Sequence, residues 1–263
     1  MKNIMIMKKL ILAFVAMAVS VGAVAQVKAR WGSIDVRYPV DCETPASDEA
    51  VNRAVAWRGE RVNLQFVVEN GAKESSVVYR FGDLKCGRSV ISAANVVGGF
   101  VQPVLTDKFT GCGRHEVDAY GEVPVADRIT DADTTLLAPG ARRGVWLTVQ
   151  VPQDAKPGVY KGCVELVANG RKSRYGYTVQ VLGRTLPAPK EWAFHLDLWQ
   201  NPYAIARVHN VELWSNEHFE ALRPYMLKLA SAGQKAITAT LIDRPWDGQT
   251  YDPFGSMVTR VRK

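Results

Sequence analysis

From Val27 to about Leu186, apolar and polar residues alternate in short runs that end at turn residues instead of continuing as helical stripes. In Arg61–Glu69, Val62, Leu64, Phe66 and Val68 fall on one side and Asn63, Gln65, Val67 and Glu69 on the other. That is the period of two that a half-buried strand requires. The same reading predicts strands at Ser33–Tyr38, Ser76–Phe81, Phe100–Thr106, Val145–Val151, Gly158–Ala168 and Arg174–Leu182. Glu69-Asn70-Gly71, Lys156-Pro157-Gly158 and Asn169-Gly170 supply turns between them. Asn169-Gly170 is a strong hairpin signal, because both residue types accept positive φ. About seven strands at this spacing predict a mainly β fold that begins with an immunoglobulin-like β-sandwich over residues 26–186.

Residues 107–140, rich in Gly, Asp and Pro, break the alternation and read as a long irregular loop. His115-Glu116 within it resembles an acid–base or metal pair only as sequence neighbours, and a loop that packs against the next domain is the alternative. Pro187 and Pro189 then predict a stiff extended linker over 187–190.

Beyond it the period changes. Across Phe194–Trp199, His195, Asp197 and Trp199 face one way and Phe194, Leu196 and Leu198 the other. Phe219, Leu222, Met226, Leu229 and Ala230 come next at helical spacing, with Pro224 predicting a kink or a restart there. Lys235–Ile242 reads as a second strand, with Ile237, Ala239 and Leu241 opposite Thr238 and Thr240. Strand, helix and strand make one β-α-β unit, the repeat of a (β/α)8 barrel, over residues 191–263.

Composition changes this picture in three places. Lys2, Lys8 and Lys9, the apolar run Leu10–Val19 and Ala23-Val24-Ala25 predict a cleaved signal peptide over residues 1–25, and hence export to the periplasm or beyond the cell. The formal charge of the 263 residues is +7, and removing the leader's three lysines leaves +4, interspersed with acids. This excludes a nucleic-acid stripe, and no membrane contact is expected once the leader is cut. Cys42, Cys86, Cys112 and Cys163 allow three pairings among which the sequence does not choose. A domain of this size does not need staples, so free thiols are the preferred reading. No C-x-x-C occurs and the histidines are scattered, so neither metal nor cofactor is expected.

Parallel barrels hold their sites at the carboxyl ends of their strands. Here those ends present Asp197, Trp199, Gln200 and Asn201, then Asp243 and Trp246. Indoles cover the C–H face of a sugar, while carboxylates and amides address its hydroxyls. The same indoles would also suit a cap on the barrel core, and the acids a turn.

The segments FHLDLWQNP, AGQK and DRPWDGQTYDPFGSMV, preceded by AWRGERVNLQFVV, GGFVQPVLTD, GCG, VADRI, VPQDAKPGVYKGCVEL and VLGRTLPAP, resemble glycoside hydrolase family 123 in order and spacing. The resemblance spans nearly all of the chain after the leader. It implies bacterial β-N-acetylgalactosaminidase-like chemistry: retaining hydrolysis in which the substrate's own acetamido oxygen attacks the anomeric carbon. It also implies a consecutive Asp-Glu pair further along the barrel, the Asp steadying the acetamido group and the Glu protonating the leaving oxygen. The only consecutive Asp-Glu here, Asp48-Glu49, lies far upstream and does not match that motif. The resemblance therefore places the strand with the catalytic pair beyond Lys263, and no catalytic residue is expected among the 263. The expectation is a truncated barrel start, inactive alone, whose partner is a glycan carrying N-acetylhexosamine. The alternative is a non-catalytic sandwich that binds glycan or protein, for which Trp31, Trp57 and Trp146 are the available indoles. Oligomeric state is left open by both.

Overall fold

The structure is a computed structural model, and it describes residues 27–107 and 122–237. The leader, His115-Glu116, Cys112, most of the second predicted strand, Asp243, Trp246 and the closing stretch to Lys263 lie outside the described residues. The expectation that the catalytic pair falls beyond Lys263 therefore meets no described residue that bears on it. The chain divides between Leu186 and Pro187 into two compact units.

Among its described residues the first unit holds twelve strands: β1 Lys28–Gly32, β2 Arg53–Arg58, β3 Arg61–Glu69, β4 Ser75–Phe81, β5 Leu84–Cys86, β6 Ser89–Ile91, β7 Val96–Asp107, β8 Glu122–Ile129, β9 Thr134–Leu137, β10 Arg142–Gln150, β11 Gly158–Ala168 and β12 Arg171–Thr185. One sheet runs β1-β3-β10-β7-β8 and the other β2-β12-β11-β4-β9, with β5 and β6 appended to β11. All pairings are antiparallel except β2 with β12. The alternation of β3 places Val62, Leu64, Phe66 and Val68 in the core, against Tyr79, Val164, Tyr177 and Val179 of the second sheet. Rings interlock across the layer: Trp31 with Tyr177 at 5.5 Å, Tyr79 with Phe100 at 5.2 Å and Phe66 with Tyr175 at 4.7 Å. Trp31 is thus a core residue. At the Asn169-Gly170 turn both φ angles are positive (49° and 79°), and β11 pairs with β12 from Ala168–Arg171 onward.

Several expectations need correction. Ser33–Tyr38 is a turn followed by chain that joins no ladder, and the strand lies just before it at β1. Ser33 supplies the cause: its hydroxyl accepts from Asp35 N at 3.3 Å and its carbonyl from Val36 N at 3.4 Å, which ends the ladder. Residues 107–140 are less irregular than their composition implies, since β8 and β9 form within them. With β2, β5 and β6, they raise the strand count above that of an ordinary immunoglobulin domain. Cys42, Cys86 and Cys163 need no correction: they are free thiols, as the preferred reading has them. Pro189–Glu191 is a turn of 3₁₀ helix and not extended linker, closed by the Glu191 carboxylate accepting from Ala188 N at 3.2 Å.

Two core tyrosines make opposite demands. Tyr79 donates to Ala132 O at 3.1 Å, whereas the Tyr177 hydroxyl is buried without a partner. Gly162 makes room for it, because a Cβ there would lie 2.5 Å from the Tyr177 ring. Burial, and then the carboxylates of Asp133 and Asp131, push the Tyr79 phenol up to about 12; burial and then Cys163 push Tyr177 up as well. A raised folded-state value stabilises the protein below the ordinary tyrosine range, near ~10, and that contribution is lost as pH rises through the folded value. Alkaline melts should therefore show stability falling from about pH 10 upward. Tyr177→Phe is expected to leave stability at neutral pH equal or higher and to flatten the alkaline loss, while Tyr79→Phe costs about 1 kcal/mol.

Candidate functional site

Among its described residues the second unit carries two α-helices, α1 Pro202–His209 and α2 Asn216–Ser231. Asn201 starts α1: its Oδ1 accepts from Ala204 N at 3.1 Å, and Pro202 occupies the first helical position, where its missing N–H costs nothing. Ser215 caps α2 by accepting from His218 N at 3.1 Å. α2 continues unbroken through Pro224, so no new helix starts there. His218 is fully buried where the two helices meet, its Nδ1 accepting from Trp214 N at 3.0 Å and its Nε2 donating to Pro202 O at 2.9 Å. This holds Trp214 at φ 65°, a left-handed conformation rarely occupied by a bulky residue.

Phe194–Trp199, expected as a strand, is a bend at Phe194 followed by irregular chain and joins no ladder among the described residues. A side chain takes the place of the neighbouring strand. Gln234, 8% exposed, accepts from Leu198 N at 3.2 Å and donates to Leu198 O at 3.2 Å and Ala236 O at 2.8 Å. One amide thus satisfies both backbone groups of Leu198 and ties that segment to the chain leaving α2. Asp197 and Trp199, on either side of Leu198, are exposed.

The four described candidates therefore divide. Asp197 and Trp199 present their side chains to solvent from an anchored segment. Gln200 folds back to donate to Leu198 O, and its Oε1 is buried without a partner. Asn201 is committed to capping α1. Each amide thus has one local structural role, Gln200 through its nitrogen and Asn201 through its oxygen. Reasoning from the sequence missed Gln234, which no periodicity marks, and α1, which the Asn-Pro start could have announced. Among the described residues no cluster of three or more His, Cys, Asp or Glu side chains could hold a metal, and no helix is long and apolar enough to cross a membrane.

Comparison with known families matches residues 31–168 to the glycoside hydrolase 123 N-terminal domain and residues 199–263 to the glycoside hydrolase 123 catalytic domain. The chain belongs to glycoside hydrolase family 123. A family 123 glycoside hydrolase from Clostridium perfringens, analysed for the details of glycolipid glycan hydrolysis, superposes with a TM-score of 0.76 at 24% identity. The match covers 88% of this chain and 41% of that one, and at this identity it shows the fold. The family 123 chain therefore spans less than half the length of that enzyme. Weaker likenesses include a PapD-like domain of human CEP192 (TM-score 0.32, 10% identity, 62% of this chain and 88% of that one). Another is the sporulation control protein Spo0M from Bacillus subtilis (TM-score 0.30, 11% identity, 62% and 51%). Neither is close enough to carry an argument. No curated protein matches the chain.

Proposed function

We propose that this chain supplies the exported N-terminal sandwich and the first barrel segment of a family 123-like β-N-acetylgalactosaminidase. The observation that carries the reading is the order of the two family matches, sandwich and then catalytic domain, along one chain. The tie between Leu198 and Gln234 supports the barrel part, because adjacent parallel strands would place those two segments side by side. Trp199 offers an exposed indole to a pyranose ring and Asp197 a carboxylate to its hydroxyls, with Asp243 and Trp246 as further candidates on the following segment. The glycan partner carries N-acetylhexosamine.

The proposed parent reaction is retaining and substrate-assisted. The acetamido carbonyl oxygen attacks the anomeric carbon as the leaving oxygen takes a proton, and water then opens the cyclic intermediate. That step needs an oriented carboxylate beside a carboxylic acid. Asp48 and Glu49 are both exposed in the irregular stretch before β2, which does not hold them in that arrangement. These residues alone are therefore expected not to cleave. Purified protein incubated with an aryl β-N-acetylgalactosaminide should release no phenol above a buffer blank. Turnover that survives Asp48→Asn and Glu49→Gln would mean that a second acid pair works within this chain, and the reading would fall.

A further inference from the structure

The outer face of the first sheet is not flat. Ser33–Tyr38 crosses it as a strap over Gln65, whose amide, once turned so that its nitrogen faces the strap, donates to Ser33 O at 2.9 Å and Val36 O at 3.3 Å. Tyr38, 2% exposed, accepts from Ser33 N at 2.9 Å through its hydroxyl. Gly144 leaves space for this arrangement, since a Cβ there would lie 2.8 Å from the Gln65 amide. Between the strap and β8 runs a groove of about 300 Å³. That volume is at the small end of small-molecule sites.

Its floor is Trp146 beside Gln65, direct partners in the β3–β10 register. Ile34 stands on the strap side and Ile129 on the β8 side, and both are exposed. Arg37 and Asp127 face each other across it, 3.8 Å apart, with most of each side chain in solvent. An exposed pair at that distance adds little to the fold, so nothing in the sandwich depends on their meeting. Asp35 lines the same groove. Two carboxylates against one guanidinium disfavour an anion. An indole, a fixed amide and ionised groups of both signs around a small concavity suit a neutral polyhydroxylated ring: the apolar surfaces take its C–H groups, and the charged groups take vicinal hydroxyls.

We infer that this groove of the sandwich unit is a binding site for a neutral pyranose. The inference goes beyond the hydrolytic reading and does not depend on it. In the full chain, ligand-observed NMR titration with methyl β-N-acetylgalactosaminide and methyl β-galactoside tests it, with choline and sulfate as counter-probes. The expected result is saturation by at least one glycoside at about millimolar concentration, weakened about tenfold or more by Asp127→Asn. Trp146→Leu should weaken it likewise, while Trp57→Leu, which alters the other sheet's exposed indole, should leave it unchanged. Asp127 is exposed, so its variant reads binding even if the Trp146 variant folds poorly. No saturation by about 50 mM, undiminished binding in Asp127→Asn, loss with Trp199→Ala instead, or saturation by choline or sulfate alone would overturn the inference.

Discussion

Arg142→Met is expected to destabilise the sandwich by about 3–5 kcal/mol in a urea melt. Arg142 is 5% exposed and ends in a cage of acceptors. Its Nε donates to Glu69 Oε1 at 2.9 Å, and Nη1 reaches Asp41 O at 2.7 Å, Thr44 O at 3.1 Å and Pro39 O at 3.4 Å. The guanidinium thereby fastens the irregular Pro39–Thr44 segment to the junction of β3 and β10. Methionine keeps the length of the stem but leaves one carboxylate and three carbonyls without a donor. Glu69 retains some exposure, which places the loss toward the lower end of that range. Arg142→Lys should recover only part of it, because an ammonium cannot reach carbonyls and carboxylate in one planar fork. A loss below about 1 kcal/mol in Arg142→Met would mean that water replaces the guanidinium at little cost.

His218→Phe is expected to cost the second unit about 2–4 kcal/mol, because the buried Pro202 C=O and the partly buried Trp214 N–H lose their partner. Phenylalanine fills a similar volume, so the effect reads the hydrogen bonds and not a cavity. The wild-type ring must carry its proton on Nε2 to serve both partners. Without the Nδ1 acceptor nothing compensates Trp214 for its left-handed backbone, which costs roughly 1–2 kcal/mol. The Trp214 amide should then exchange with solvent far faster. Unchanged protection at Trp214 would show that the α1–α2 turn is held by packing alone. Because Pro202 begins α1 directly after Asn201, loosening here would also disturb the segment that carries Asp197 and Trp199.

Legibility followed the kind of force at each position. β3 and β11 have the bounds that the sequence pattern predicts, because core burial sets a period of two and burial is what the pattern records. The β11–β12 hairpin was legible for a different reason: only residues tolerant of positive φ make that turn. Ser33–Tyr38 misled because it has apolar positions to bury, yet buries Tyr38 against the sheet's outer face as a strap. β8 and β9 hid behind a polar, glycine-rich composition, since edge strands need little apolar surface.

At the candidate site the limits were sharper. Asp197 and Trp199 could be proposed from residue type alone. Gln200 and Asn201 look equally suited to sugar in the sequence, which does not show that one also donates to a neighbouring carbonyl and the other also starts a helix. Gln234 has no sequence signature, because an amide that imitates a strand partner is recognised only when the backbone it pairs with lies beside it.

Hydrogen exchange resolved to single amides tests most directly the claim that the Gln234 amide takes the place of a neighbouring strand beside Leu198. The account predicts slow exchange along β3, β10 and β11, protection at Leu198 through Gln234, and fast exchange at the other amides of Phe194–Trp199. Slow exchange along the whole of Phe194–Trp199, matching the sandwich strands, would reveal a paired strand there and contradict it.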